Sequence, residues 1–255
     1  MSAPVRVWVE AQGRLLRLRL SRPKANLIDA AMIEALGRAF ADHLENPGLS
    51  AILLDAEGPN FSYGASVEEH MPRQCEAMLT SIHRLIVRMV EAPVVTLVAV
   101  RGQCLGGGLE VALAGHLLFV GPDALLGQPE MKLGVFAPAA SCLMPELIGP
   151  ARALDLLVSG RTVSGAEAVA IGMAREAAAD PERAALSYFD EYLKPKSASS
   201  LRYAIQAARS DYAARVAAKI KSVERLYLDE LIKTHDAVEG LGAFVARRAV
   251  QWQHH

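Results

Sequence analysis

The sequence lacks any surplus of one charge. Its 27 lysines and arginines face 28 aspartates and glutamates, a net charge of −1, and no long block of like charge interrupts that balance. Binding to a polyanion draws on clustered basic side chains, so no nucleic-acid partner is expected. Long apolar runs are missing too: nothing approaches the roughly 20 consecutive apolar residues of a membrane span. The opening MSAPVRVWVEAQG alternates like a strand and shows neither the basic start nor the apolar centre of a secretion signal. No membrane partner and a cytoplasmic location are therefore expected. Cysteine is scarce: Cys75, Cys104 and Cys142 are odd in number, far apart and in no metal-ligand spacing, and read as buried thiols with no metal site and no assigned chemistry. Two nucleotide signatures are absent as well. GQCLGGGLE lacks the G-x-G-x-x-G order of dinucleotide folds, and no G-x-x-x-x-G-K-S/T loop occurs.

What is present is enough apolar material, 52% of the residues, for one sizeable core. VRVWVEAQGRLLRLRLS alternates on either side of Gly13, the pattern of a hairpin with one buried face. Residues 29–44 place Met32, Leu36, Phe40 and Leu44 at helical spacing behind the N-cap residue Asp29. A buried strand AILLD, a turn-rich loop AEGPNFSYGAS, a helix over about 73–91 and the strand VVTLVAV follow. Alternation of strand, loop and helix predicts an α/β arrangement that gathers its strand-end loops on one side, where ligands commonly bind. From Pro181 onward the pattern is helical almost throughout, which divides the chain into a core over 1–190 and a helical region over 191–255 suited to packing against another subunit.

Two loops carry candidate chemistry. The triplet Gly106-Gly107-Gly108 follows a buried strand and opens a helix, so it offers backbone N–H groups that an oxyanion can approach without meeting a Cβ. FSYGAS, at 61–66, again pairs glycine with small residues after an apolar strand. Glu110 lies in the first turn after the triplet and Glu130 lies in the GQPE loop. Taken singly, each glycine reads as a turn and each acid as a cap or a solvent-facing group. If they converge, burial and mutual repulsion make the acids an acid/base pair.

The blocks RPKANLIDAAMIEAL, AILLDAEGPNFSYGAS, VAVRGQCLGGGLEVALAG, LLGQPEMKLGV, LIGPARALDLLVSGRTVSGAEAVAIGMA and EGLGAFVARR, in this order, resemble those of the crotonase (enoyl-CoA hydratase/isomerase) family over almost the whole chain. The resemblance implies an α/β spiral of β-β-α turns with a C-terminal helical trimerisation region, assembled as a homotrimer or as a homohexamer made of two trimers. It implies an acyl-CoA thioester substrate and no cofactor beyond the coenzyme A that the substrate brings. Position by position, it puts the two oxyanion donors on the backbone N–H groups of Ala65 and Gly107. It makes Glu110 and Glu130 the catalytic pair that handles water, and retention of both favours hydration over isomerisation or decarboxylation. It places CoA along Lys24, Ala25, Tyr63, Ala65, Ser66, Val67 and Glu68, with Phe244 and Arg247 reaching CoA of the same or a neighbouring subunit.

Two departures concern the acyl group. YGAS stands where simple hydratases of the family read AGAD, and APAASCL at 137–143 replaces a glycine-rich stretch. Phe136, Pro138 and Met144 are expected to shape a reworked acyl pocket, with Ala137 and Ser141 beside them. FSYGASVEEHMP together with LGVFAPAASCLMP resembles the branch that hydrates cyclohexa-1,5-diene-1-carbonyl-CoA to 6-hydroxycyclohex-1-ene-1-carbonyl-CoA in anaerobic benzoyl-CoA breakdown. The alternative is hydration of a straight-chain 2-enoyl-CoA in fatty-acid oxidation, which uses the same residues.

Overall fold

A computed structural model describes residues 3–255. Strands β1 (Val5–Glu10) and β2 (Leu15–Leu20) form the expected antiparallel hairpin, with Val7 opposite Leu18. Its polar face does not meet water as the alternation suggested: Arg17 is buried and pairs with Asp55 at 2.8 Å and Glu182 at 2.5 Å. A second layer covers that face, so the inward guanidinium is held by carboxylates.

Helix α1 (Ala30–His43) starts at Asp29, whose side chain accepts a hydrogen bond from the Met32 N–H at 2.9 Å. Next come β3 (Ala51–Ala56), α2 (Cys75–Glu91) and β4 (Val95–Val100). The short β5 (Gln103–Leu105) runs straight into α3 (Gly107–Leu113), and β6 (Leu117–Val120) and β7 (Leu125–Gly127) follow. The pattern closes with α4 (Pro138–Ile148), α5 (Pro150–Ser159), β8 (Thr162–Ser164), α6 (Gly165–Ala170), β9 (Glu176–Ala177) and α7 (Pro181–Tyr188). A six-stranded sheet runs β1-β2-β3-β4-β6-β9, and a three-stranded sheet runs β5-β7-β8. From β4 to β7 consecutive strands alternate between the two sheets while helices return the chain, the β-β-α turns of the spiral.

The larger sheet is apolar on both faces, which explains why AILLD and VVTLVAV read as continuous rather than alternating runs. Ile52, Leu54, Val98 and Val100 face the main core, while Leu53, Leu97, Ala99 and Phe119 meet Ala185, Phe189 and Leu193 on the opposite side. The long α8 (Ala198–Arg225) and α9 (His235–Val245) carry the C-terminal region. They do not build a core of their own: Val216, Ile220, Tyr227, Ile232 and Leu241 join the main core of the spiral.

Candidate active site

The loop after β3 is held against β5 by its backbone. Ser62 donates its N–H to Gln103 O at 3.0 Å and accepts from the Leu105 N–H at 3.0 Å, and the Tyr63 N–H donates to Ala25 O at 2.9 Å. Gly106 then takes φ +49° and ψ −131°, a conformation that turns the chain from β5 into α3 and that L side chains avoid. Each glycine of the triplet faces a different neighbour. A Cβ on Gly106 would lie 2.6 Å from Glu130 Oε1, one on Gly107 3.0 Å from Ala65 Cβ, and one on Gly108 2.5 Å from Ser62 Cβ. The middle glycine therefore brings α3 against Ala65, whose amide nitrogen is 3.2 Å from that same Cβ position. Among the described residues, the Ala65 and Gly107 N–H groups have no hydrogen-bond acceptor. Two free donors side by side at one wall suit an anionic oxygen.

Glu110, one turn into α3, is buried, and its Oε1 accepts a hydrogen bond from the Ala140 N–H at 2.9 Å. Pro138 opens α4 two residues earlier, a favoured position for proline, and so fixes where that donor points. Burial raises the Glu110 carboxyl, while the Ala140 N–H and the charge of His83 work against the rise. His83, buried on α2, hydrogen-bonds through Nδ1 to Glu224 of α8 at 2.5 Å and leaves Nε2 without a partner among the described residues. Glu130 lies in a tight helical turn, Pro129–Leu133, that ends at the left-handed Gly134 (φ +73°). With the Gln128 amide nitrogen turned toward it, Gln128 donates to both Glu130 oxygens at 3.1 and 3.2 Å. Burial, and next the charge of Glu110, push the Glu130 carboxyl up to about 8. The two acids, separated in sequence, are thus close enough for the charge of Glu110 to act on Glu130.

A cavity of about 480 Å³ opens beside them, and Tyr63, Ala65, Val67, Gly107, Glu130 and Phe244 line it. Phe244 comes from α9 of the same chain. The remaining expected positions lie elsewhere. Glu110 is buried and does not line the cavity, and Ala25 acts through the carbonyl that holds Tyr63. Lys24, at φ +87°, and Arg247, at φ +52°, are exposed, and the Ser66 hydroxyl donates to the exposed Glu68 at 3.1 Å. Phe136, Pro138 and Met144 do not line this cavity: Pro138 and Met144 are buried, and Phe136 packs edge-on against Tyr227 at 5.3 Å. Periodicity gave no hint of Gln128, His83, Tyr227 or the wall residues His70, Lys132, Leu133, Val135 and Leu241. Gln128 stood within GQPE, and that was the one available signal.

The fold and the two free N–H groups beside Glu130 define the candidate site, and sequence comparison gives its family. Residues 10–255 match the enoyl-CoA hydratase/isomerase family model, and the chain belongs to that family. It is 60% identical to the cyclohexa-1,5-dienecarbonyl-CoA hydratase of Thauera aromatica, over 99% of this chain and 98% of that one. It is 29% identical to a probable enoyl-CoA hydratase of Bacillus subtilis, over 92% and 94% of the two chains. The crystal structure of an enoyl-CoA hydratase from Bacillus halodurans superposes with a TM-score of 0.86 over 94% of this chain and 99% of that one at 18% identity, a likeness of fold.

Proposed function

We propose that the protein adds water to cyclohexa-1,5-diene-1-carbonyl-CoA to give 6-hydroxycyclohex-1-ene-1-carbonyl-CoA. The observation that carries this reading is the 60% identity to a hydratase of that name, against 29% to a probable enoyl-CoA hydratase that shares the family. The chemistry of the site is consistent with it. Water attacks the carbon β to the thioester, and the electrons move onto the thioester oxygen, which faces the Ala65 and Gly107 N–H groups. The resulting dienolate takes a proton at its γ carbon, which leaves one ring double bond and the new alcohol. One carboxyl of the Glu110–Glu130 pair accepts a proton from water and the other supplies the proton to carbon, so the pair ends with as many protons as it began. Held up by burial, the pair keeps a proton near neutrality, the condition for acid and base to act together.

The coenzyme A portion enters as part of the substrate, and no further cofactor is called for by these steps. Tyr63, Val67 and Phe244 offer the apolar wall for its pantetheine arm, with Lys24, Ala25, Ser66, Glu68 and Arg247 toward the nucleotide end. Assembly as a homotrimer or homohexamer in the cytoplasm completes the reading, and it would cover exposed apolar side chains such as Leu154 and Val158 on α5. No helix among the described residues is long and apolar enough to cross a membrane.

Hydration of the cyclic dienoyl-CoA and of crotonyl-CoA, followed side by side by chromatographic separation of each thioester from its hydroxylated product, tests the substrate. Preferential turnover of the ring is the expected result. Strong turnover of the linear thioester with none of the ring overturns the reading in favour of a straight-chain hydratase.

A further inference from the structure

Tyr227 is the largest side chain that the structure buries completely, and its hydroxyl has no hydrogen-bond partner among the described residues. An unpaired buried hydroxyl destabilises the fold, and a phenylalanine of the same shape would avoid that cost. The residue stands where α8 widens into a single π turn, Leu226–Glu230, and wide turns of this kind occur often at functional sites. Its ring meets Phe136 edge-on, with centroids 5.3 Å apart and planes at 73°. Phe136 directly follows Val135, a wall residue of the substrate cavity whose N–H donates to Glu130 O at 3.3 Å. Tyr227 is therefore attached to the segment that carries Glu130.

We infer that the Tyr227 hydroxyl is a third polar anchor at the acyl end of the site, hydrogen-bonded to the water that the glutamate pair activates and then to the alcohol oxygen it becomes. A held water needs two to four polar partners, and the one proton of the glutamate pair is the one given to carbon, so a further O–H group is needed to hold the water in place. The phenol neither gains nor loses a proton in this role: water gives one proton to a carboxylate and keeps the other in the alcohol. Burial and the nearby Cys75, Glu130 and Glu110 all push the phenol up, so it remains an O–H group over the working range. The inference rests on the hydratase reading above and adds to it the group that fixes the direction of attack.

Tyr227→Phe keeps the ring and removes only the hydroxyl. The expected result is a fall of about tenfold or more in kcat, the low end of what a positioned polar group contributes, with KM within about twofold and no loss of thermal stability. A second readout needs no turnover. The preference of the protein for 6-hydroxycyclohex-1-ene-1-carbonyl-CoA over the deoxy thioester cyclohex-1-ene-1-carbonyl-CoA, measured by calorimetry, should fall by a similar factor in the variant. Wild-type kcat and an unchanged preference, accompanied by a higher melting temperature, would show a core tyrosine with nothing to hold and overturn the inference. If the phenylalanine variant folds poorly, Tyr227→Leu is read in the same two assays. Running crotonyl-CoA in parallel separates the failures: if the wild type hydrates only the linear thioester, the substrate reading falls while the Tyr227 inference is judged on linear turnover. If it hydrates neither, both fall.

Discussion

The spiral core and the C-terminal helices contribute to the same cavity in different currencies. From the spiral come polar groups fixed by backbone: the Ala65 and Gly107 N–H groups, Glu110 under its Ala140 hydrogen bond, and Glu130 over Gly106. From the C-terminal helices come apolar surfaces, Leu241 and Phe244 on α9, together with the buried Tyr227. The contrast is between polar groups fixed by the backbone of the spiral and the apolar wall that α9 lays over them, with the Tyr227 hydroxyl as the polar group that the C-terminal helices add. Substitutions among the polar groups of the spiral should alter kcat and those on the α9 wall should alter KM.

The sharpest break of that contrast is removal of one acid. Glu110→Gln and Glu130→Gln each keep the shape and hydrogen-bonding size of the side chain but cannot exchange a proton. Each should lower kcat by at least about a hundredfold, the usual scale for a general acid or base, with binding of the CoA ester largely retained. Wild-type turnover by either variant would remove that residue from the pair.

A smaller loss should follow Gly107→Ala. The added methyl would lie 3.0 Å from Ala65 Cβ and 3.4 Å from Ile82 Cδ1, so the two loops must part by a few tenths of an ångström. Losing one oxyanion donor outright costs on the order of 3 kcal/mol, and a displaced donor less, so a fall in kcat of roughly tenfold is expected with a nearly unchanged melting temperature. Steady-state kinetics with a thermal melt checks both halves. A variant that binds and turns over normally would show that these N–H groups do not face the developing charge.

The same division explains what could be read from residues alone. Glycines next to a buried strand and acids at fixed offsets are local features, so the two loops, Glu110 and Glu130 stood out as candidates, while the donor roles of Ala65 and Gly107 and the pairing of the acids came only from the family resemblance. Glu130 against Gly106 was not legible, because nothing local records that the GQPE turn folds back over the triplet. Tyr227 was equally hidden: within SVERLYLDELIK it occupies an apolar position of a helical pattern, and periodicity reports burial, not which tip lies beside which acid. Pro138, expected to shape the pocket, lies off the wall of this cavity, where it starts α4 two residues before the Ala140 N–H that meets Glu110, a placement that no local pattern records. The hairpin's second face was misjudged for the same reason, because only the tertiary layer of α7 buries Arg17.

On the helical side, Phe244→Ala removes an aromatic wall that is itself 55% exposed and touches no reacting atom. A loss of a part-buried aromatic contact corresponds to about 1 kcal/mol, or a rise in KM of about fivefold, with kcat unchanged. A fall in kcat of the same size as for Gly107→Ala would erase the distinction between the two regions.

The last effect concerns stability, and it runs opposite to activity. An acid whose carboxyl is pushed up to about 8 in the folded chain, from an ordinary value of 4.5, holds its proton more tightly folded than unfolded. The unfolded state then binds fewer protons across that window, so the wild-type protein loses stability as pH rises from about 4.5 to about 8 and levels off above. Glu130→Gln has no such proton to lose. Its melting temperature should therefore gain on the wild type as pH rises, with the smallest gap near pH 4.5 and the largest at pH 8 and above. Each 1 kcal/mol is worth roughly 2–4 °C in a chain of this size. Scanning calorimetry of both proteins at several pH values checks the sign, and a gap that does not change with pH would show that the Glu130 carboxyl is not held in the low-dielectric, like-charged setting described for the pair.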